Sequence, residues 1–124
     1  MKLRIRGNSI RFRVSQSELR DIVDRGYTAD HIEFPPAAGL SYCVEVVPRG
    51  SLTADFSDER IRLRVPRDSI LHWARAEEVS IRGEQLLGDG RALKILLEKD
   101  FSCLAPRDEE DDSDLFPNPH GGTT

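Results

Sequence analysis

Leu3-Arg4-Ile5-Arg6-Gly7-Asn8-Ser9-Ile10-Arg11-Phe12-Arg13-Val14-Ser15 is the stretch on which the fold of this 124-residue chain turns. Within each of its two runs, aliphatic or aromatic residues alternate with arginines, the period-two pattern of strands that bury one face. Gly7-Asn8 between the runs supplies a tight turn, so the segment predicts a hairpin. Side chains of a strand point alternately to opposite faces. Leu3, Ile5, Ile10, Phe12 and Val14 therefore turn inward while Arg4, Arg6, Arg11 and Arg13 share the other face.

A helix follows at once. Ser15-Gln16-Ser17-Glu18 has the spacing of a capping box, in which the Ser15 hydroxyl accepts from the Glu18 amide and the Glu18 carboxylate reaches back. Leu19, Ile22 and Val23 form an apolar stripe at helical spacing, and Gly26 supplies a left-handed stop.

The pattern returns 51 residues later. Ile10-Arg11-Phe12-Arg13-Val14 falls on Ile61-Arg62-Leu63-Arg64-Val65, so Arg62 and Arg64 form a second comb. Leu19, Ile22 and Val23 fall on Ile70, Trp73 and Ala74, and Tyr42, Val44 and Val46 fall on Leu93, Ile95 and Leu97. Pro66 stands where a helix start tolerates it, and Gly88-Asp89-Gly90 joins strands over 79–82 and 92–98. Two strand-strand-helix-strand pseudo-repeats predict an α+β fold, a largely antiparallel twisted sheet or small barrel with two helices packed on it. The expected core includes Leu3, Ile5, Phe12, Ile22, Val44, Phe56, Leu63, Trp73, Ile95 and Leu97.

Charge divides the chain. Residues 1–105 carry 17 Lys and Arg against 16 Asp and Glu, whereas 106–124 hold Arg107 against Asp108, Glu109, Glu110, Asp111, Asp112 and Asp114. One domain over 1–105, its halves about 1–51 and 52–105, and an acidic Pro/Gly-containing tail over 106–124 are therefore expected. The tail offers two further readings: it occupies the arginine face in cis until a partner displaces it, or Leu115-Phe116-Pro117-Asn118-Pro119 docks, in another protein's groove or on its own sheet edge.

Catalytic chemistry has little to rest on. Cys43 and Cys103 show no CxxC, and with no apolar leader at Met1-Lys2-Leu3-Arg4 they read as reduced thiols in a cytoplasmic protein. Cys103, with Asp100 or His120 as helper, is the candidate catalytic nucleophile. His31, His72 and His120 lack metal-ligand spacing, and Asp111, Asp112 and Asp114 lack the glycine and terminal Glu of a calcium loop. No metal and no cofactor is expected, and no run is long and apolar enough for a membrane span.

The arginine combs carry the functional reading. Arg4, Arg6, Arg11, Arg13, Arg62 and Arg64 on one sheet face would offer planar donors suited to phosphate or carboxylate. Glu45, Asp55, Glu59 and Glu98 are available to neutralise them, which would leave an ordinary solvated face. A near-neutral body and the absence of stacking aromatics beside the arginines argue against nucleic acid as the first choice.

Two resemblances extend this. Arg6-Gly7-Asn8-Ser9-Ile10-Arg11-Phe12-Arg13-Val14-Ser15 and Ile61-Arg62-Leu63-Arg64-Val65-Pro66, each followed by a helix, resemble swapped-hairpin AbrB/SpoVT-like domains. That resemblance implies pairing and DNA or protein binding, although the Gly-Leu…Gly-Asp turn of those domains is absent between Gly26 and Leu40. Lys2–Val14, Leu97–Leu104 and Asp114–Pro119 together resemble a family of short uncharacterised bacterial proteins, a domain of unknown function, which implies a bacterial, cytoplasmic origin. The resulting expectation is a non-enzymatic binding or regulatory module for an anionic ligand or protein partner. An AbrB-like nucleic-acid binder is the alternative and a Cys103 thiol enzyme the third reading; oligomeric state is not legible.

Overall fold

The computed structural model describes residues 1–101 and 114–117. In chain order the elements are β1 (Lys2–Arg6), β2 (Ser9–Val14), α1 (Gln16–Arg25), β3 (Tyr27–Phe34), β4 (Ala38–Val47), β5 (Thr53–Ser57), β6 (Arg60–Pro66), α2 (Arg67–Trp73), β7 (Ser80–Gly88) and β8 (Arg91–Lys99). They build two four-stranded sheets, β1-β2-β8-β7 and β3-β4-β6-β5. The outer pairs of each sheet are antiparallel, while the central pairs, β2 with β8 and β4 with β6, are parallel.

The α+β class and the two helices are as the sequence predicts; a single sheet or barrel is not. Hairpin β1–β2 turns its inner edge to β8 and hairpin β5–β6 turns its inner edge to β4, so the two arginine-bearing hairpins end in different sheets. At the sheet margins side chains take the place of a ladder. The Ala54 amide donates to Gln85 Oε1 at 2.7 Å between β5 and β7, and the Met1 amine reaches Asp30 at 3.3 Å between β1 and β3. Neither margin closes.

Each half of the chain runs strand, strand, helix, strand, strand. The sequence predicts a strand directly after the helix only in the second half, over 79–82; β3 fills the corresponding place in the first. The uniform shift also needs correction. Phe12 lies opposite Leu97 and Leu63 opposite Val44. Residues 12 and 63 differ by 51, whereas 44 and 97 differ by 53, so the last strands match two residues further along.

Burial follows the alternation. Phe12, Val14, Ile22, Val44, Leu63, Val65, Ile70, Trp73 and Leu97 are buried in one cluster drawn from both sheets and both helices. The Trp73 indole N–H donates to the Val79 carbonyl at 3.0 Å, which satisfies its polar edge within that core. The capping box of α1 is formed, and Gly26 ends the helix at φ 77°. Two expected core residues are exposed instead: Ile5 at 62% and Phe56 at 66%. β2 and β6 both run toward the helices, so α1 and α2 close one end of the sandwich; Ile5 and Phe56 lie toward the opposite, open end.

Asp114–Phe116, assigned to the tail by composition, lie against the body. The Asp114 carbonyl accepts from the Gln16 amide at 3.0 Å, its carboxylate accepts from the Ser17 amide at 3.2 Å and from the Ser17 hydroxyl, and the Phe116 amide donates to the Asp100 carbonyl at 2.9 Å. The Phe116 ring meets Phe101 edge to face at 5.8 Å. The bonds from the Gln16 and Ser17 amides occupy donors that the first turn of α1 cannot satisfy within itself. Cys103, His120 and the acids 108–112 lie outside the described residues.

Candidate anion-binding face

In a strand pair, residues directly opposite one another project to the same side. Ile10, Phe12, Val14, Ile95 and Leu97 point inward in the first sheet, so the alternate residues form its outer face. Read across β1-β2-β8-β7, that face has three rows: Arg6, Ser9, Lys94, Glu84; Arg4, Arg11, Leu96, Arg82; and Lys2, Arg13, Glu98, Ser80. Seven cations thus share the face with two acids.

The second sheet carries its arginines differently. Across β3-β4-β6-β5 the outer rows are His31, Ser41, Arg60, Ser57; Ala29, Cys43, Arg62, Asp55; and Tyr27, Glu45, Arg64, Thr53, with Glu33 beyond His31. On this face the three arginines Arg60, Arg62 and Arg64 are matched in number by the three acids Glu33, Glu45 and Asp55. Arg64 pairs with Asp55 and lies 3.9 Å from Glu45, and Arg62 Nε lies 3.6 Å from Glu45. Arg62 Nε is buried without a hydrogen-bond partner among the described residues. Cys43 is fully buried beneath this layer. Burial raises the Tyr27 hydroxyl pKa above its ordinary value, with the Cys43 thiol and Glu45 adding to the rise and Arg60 opposing it.

The six arginines are therefore not one surface. Arg4, Arg6, Arg11 and Arg13 stay together; Arg62 and Arg64 belong to the other sheet, where acids flank them. Lys2, Arg82 and Lys94 take their place, brought in because β8 and β7 complete the first sheet.

Within the first face, neutralisation is uneven. Glu98 accepts from Arg13 Nε at 2.6 Å and lies 3.6 Å from Arg11 Nε, and Lys2 reaches the buried Asp100 at 3.0 Å. Arg4, Arg6, Arg82 and Lys94 form no ion pair among the described residues, and all four are exposed. Arg4 stands directly opposite Arg11, a like-charge pair that disfavours the free sheet. Two depressions adjoin here. One of about 610 Å³ has Ser9, Arg11, Arg82, Glu84, Lys94 and Leu96 on its walls; one of about 230 Å³ is lined by Arg4, Arg6, Ser9 and Arg11. Ser9 and Arg11 belong to both, so the surface is continuous.

His31 lies 3.6 Å from Glu33 and His72 3.1 Å from Glu78, and no group of three metal-ligating side chains occurs among the described residues. No helix among them is long and apolar enough to cross a membrane. Fold and face together define a two-sheet α+β protein with one cationic sheet surface. Residues 1–120 match a family of unknown function, DUF7009, and the chain belongs to that family. No curated protein and no solved structure matches it, and the AbrB/SpoVT-like resemblance is not shown by any match.

Proposed function

We propose that this protein is a non-enzymatic binding or regulatory module that engages an anionic partner across the outer face of the β1-β2-β8-β7 sheet. One observation carries the reading: Arg4, Arg6, Arg82 and Lys94 surround a continuous concave surface and form no ion pair among the described residues, with Glu84, opposite Lys94, the only acid among the described residues on its walls. Guanidinium forks at fixed strand spacing suit multidentate phosphate or carboxylate. Burial of Cys43 as a free thiol accords with a reducing bacterial cytoplasm, and the matching element order of the two halves with an internal duplication.

Anisotropy titration of labelled polyphosphate tests this. Wild type binds, affinity falls steeply as salt rises, and Arg4→Ala, Arg6→Ala, Arg82→Ala and Lys94→Ala combined abolish binding. Arg60→Ala on the other sheet leaves it unchanged. Equal loss in both variants overturns the assignment. A second reading, nucleic acid, draws on Arg4, Arg6 and Arg11, which neighbouring strands hold on one face at a spacing open to backbone phosphates. Duplex DNA in the same titration, outcompeting polyphosphate at equal charge, selects it.

A further inference from the structure

The end of the sandwich away from the helices is open. There Ile10 and Leu93 of one sheet face Leu40, Ala54, Phe56 and Ile61 of the other across a groove of about 420 Å³. Around it the inward-facing side chains run on past the core into solvent: Ile5, Ile32, Phe34 and Phe56 are 46–66% exposed. An apolar surface of this extent marks an interaction site.

What covers it is indicated by charge. On the lip of the first sheet, Arg6 and Arg91 outnumber Asp89; on the lip of the second, Glu33, Asp58 and Glu59 outnumber Arg60, and all of these are exposed. A two-fold rotation that sets two such mouths together lays the basic lip of each copy over the acidic lip of the other, an isologous and self-complementary contact. The chain's own remaining segments, 102–113 and 118–124, contain a single large apolar residue, Leu104, and offer no plug. The β5–β6 turn adds an independent sign. Asp58 and Glu59 adopt φ of 51° and 59°, a conformation that Asn-Gly fills at lower cost. Asp58 tolerates that conformation, but Glu59 places a second acid at this lip at a backbone cost, which marks the position as a candidate for function.

We propose that two copies of this chain associate mouth to mouth, Phe34 and Phe56 of each packing into the groove of the other, with the unlike lips opposed. Apart from Arg6, which borders both, this contact uses residues distinct from the anion-binding face, which points outward from the first sheet. Sedimentation velocity on the full chain, over a concentration series, gives a species of twice the 14.0 kDa chain mass. Phe34→Asp with Phe56→Asp, both at exposed positions, returns the protein to monomer with its far-UV circular dichroism intact. Glu59→Arg weakens association at least tenfold, and adding Arg91→Glu to the same chain restores it; Glu59→Gly weakens association while raising the melting temperature. A wild type that stays at monomer mass at every concentration, a dimer that survives the double Phe substitution, or Glu59→Arg without effect overturns the proposal.

Discussion

Asp114 joins charge, helix capping and the returning chain in one side chain. Hydrogen bonds from Ser17, then Ser15, hold its carboxyl below the ordinary value of 3.8, with Ser17's backbone amide and Arg20 adding to the effect against slight desolvation. A depressed folded pKa gives stability that is complete above the unfolded value and disappears as pH falls through the folded one. The segment 114–117 is thus expected to detach at the acid end of that window, before the body unfolds. Backbone amide exchange of Gln16 and Phe116, followed from neutral pH to below 3.8, reports the step, and Asp114→Ala shows the fast exchange already at neutral pH. Ser15→Ala acts on the same turn from the other side. It removes the hydroxyl arm of the capping box, leaves the Ser15 amide donating to the Glu18 carboxylate, and lowers stability by about 1 kcal/mol, measured by urea unfolding.

Elements were legible where the apolar alternation had a dry side. β1, β2, β6 and the two helices follow from the residues, because Phe12, Val14, Leu63 and Val65 are buried and their neighbours wet. β3 escaped because only Thr28 of its eight residues is buried; beyond it both faces meet solvent, so no period separates Asp30, His31, Ile32 and Glu33. Ile5 and Phe56 have core parity but stand past the end of the core, where parity predicts direction and not cover. The candidate face was half legible for a related reason. Strand alternation places Arg4, Arg6, Arg11 and Arg13 together, but only the parallel pairing of β2 with β8, between residues 85 positions apart, brings Lys94 and Arg82 beside them. β7 also bears on packing. An added Cβ at Gly83 would stand 3.1 Å from Leu52 Cδ2, in the segment that joins β4 to β5 within the second sheet. Gly83→Val is therefore expected to cost about 1–3 kcal/mol by overpacking, read as a shifted urea midpoint at unchanged slope.

At the scale of the whole molecule the two sheets solve the same electrostatic problem differently, and the difference separates stability from binding. On the second sheet Arg62 and Arg64 are interleaved with Glu45 and Asp55; on the first, Arg4 faces Arg11 and Lys2 faces Arg13 across one ladder, with Glu98 and Asp100 offsetting part of the repulsion. A surface selected only for solubility would gain from alternating sign here as it does on the other side. Arg4→Glu converts the Arg4–Arg11 pair into an attractive one and is expected to stabilise the free protein by about 0.5 kcal/mol, raising its melting temperature by roughly 2 °C. The same change removes one donor and adds a repelling carboxylate beside the Ser9 depression, so polyphosphate binding weakens at least tenfold. Polyphosphate, which raises the melting temperature of wild type by mass action, then raises that of Arg4→Glu less at equal concentration. Melting curves of both proteins, with and without polyphosphate, decide the matter: stabilisation without loss of binding would make the unpaired cations an ordinary wet surface, while the crossed outcome identifies a face whose repulsion is relieved by its ligand.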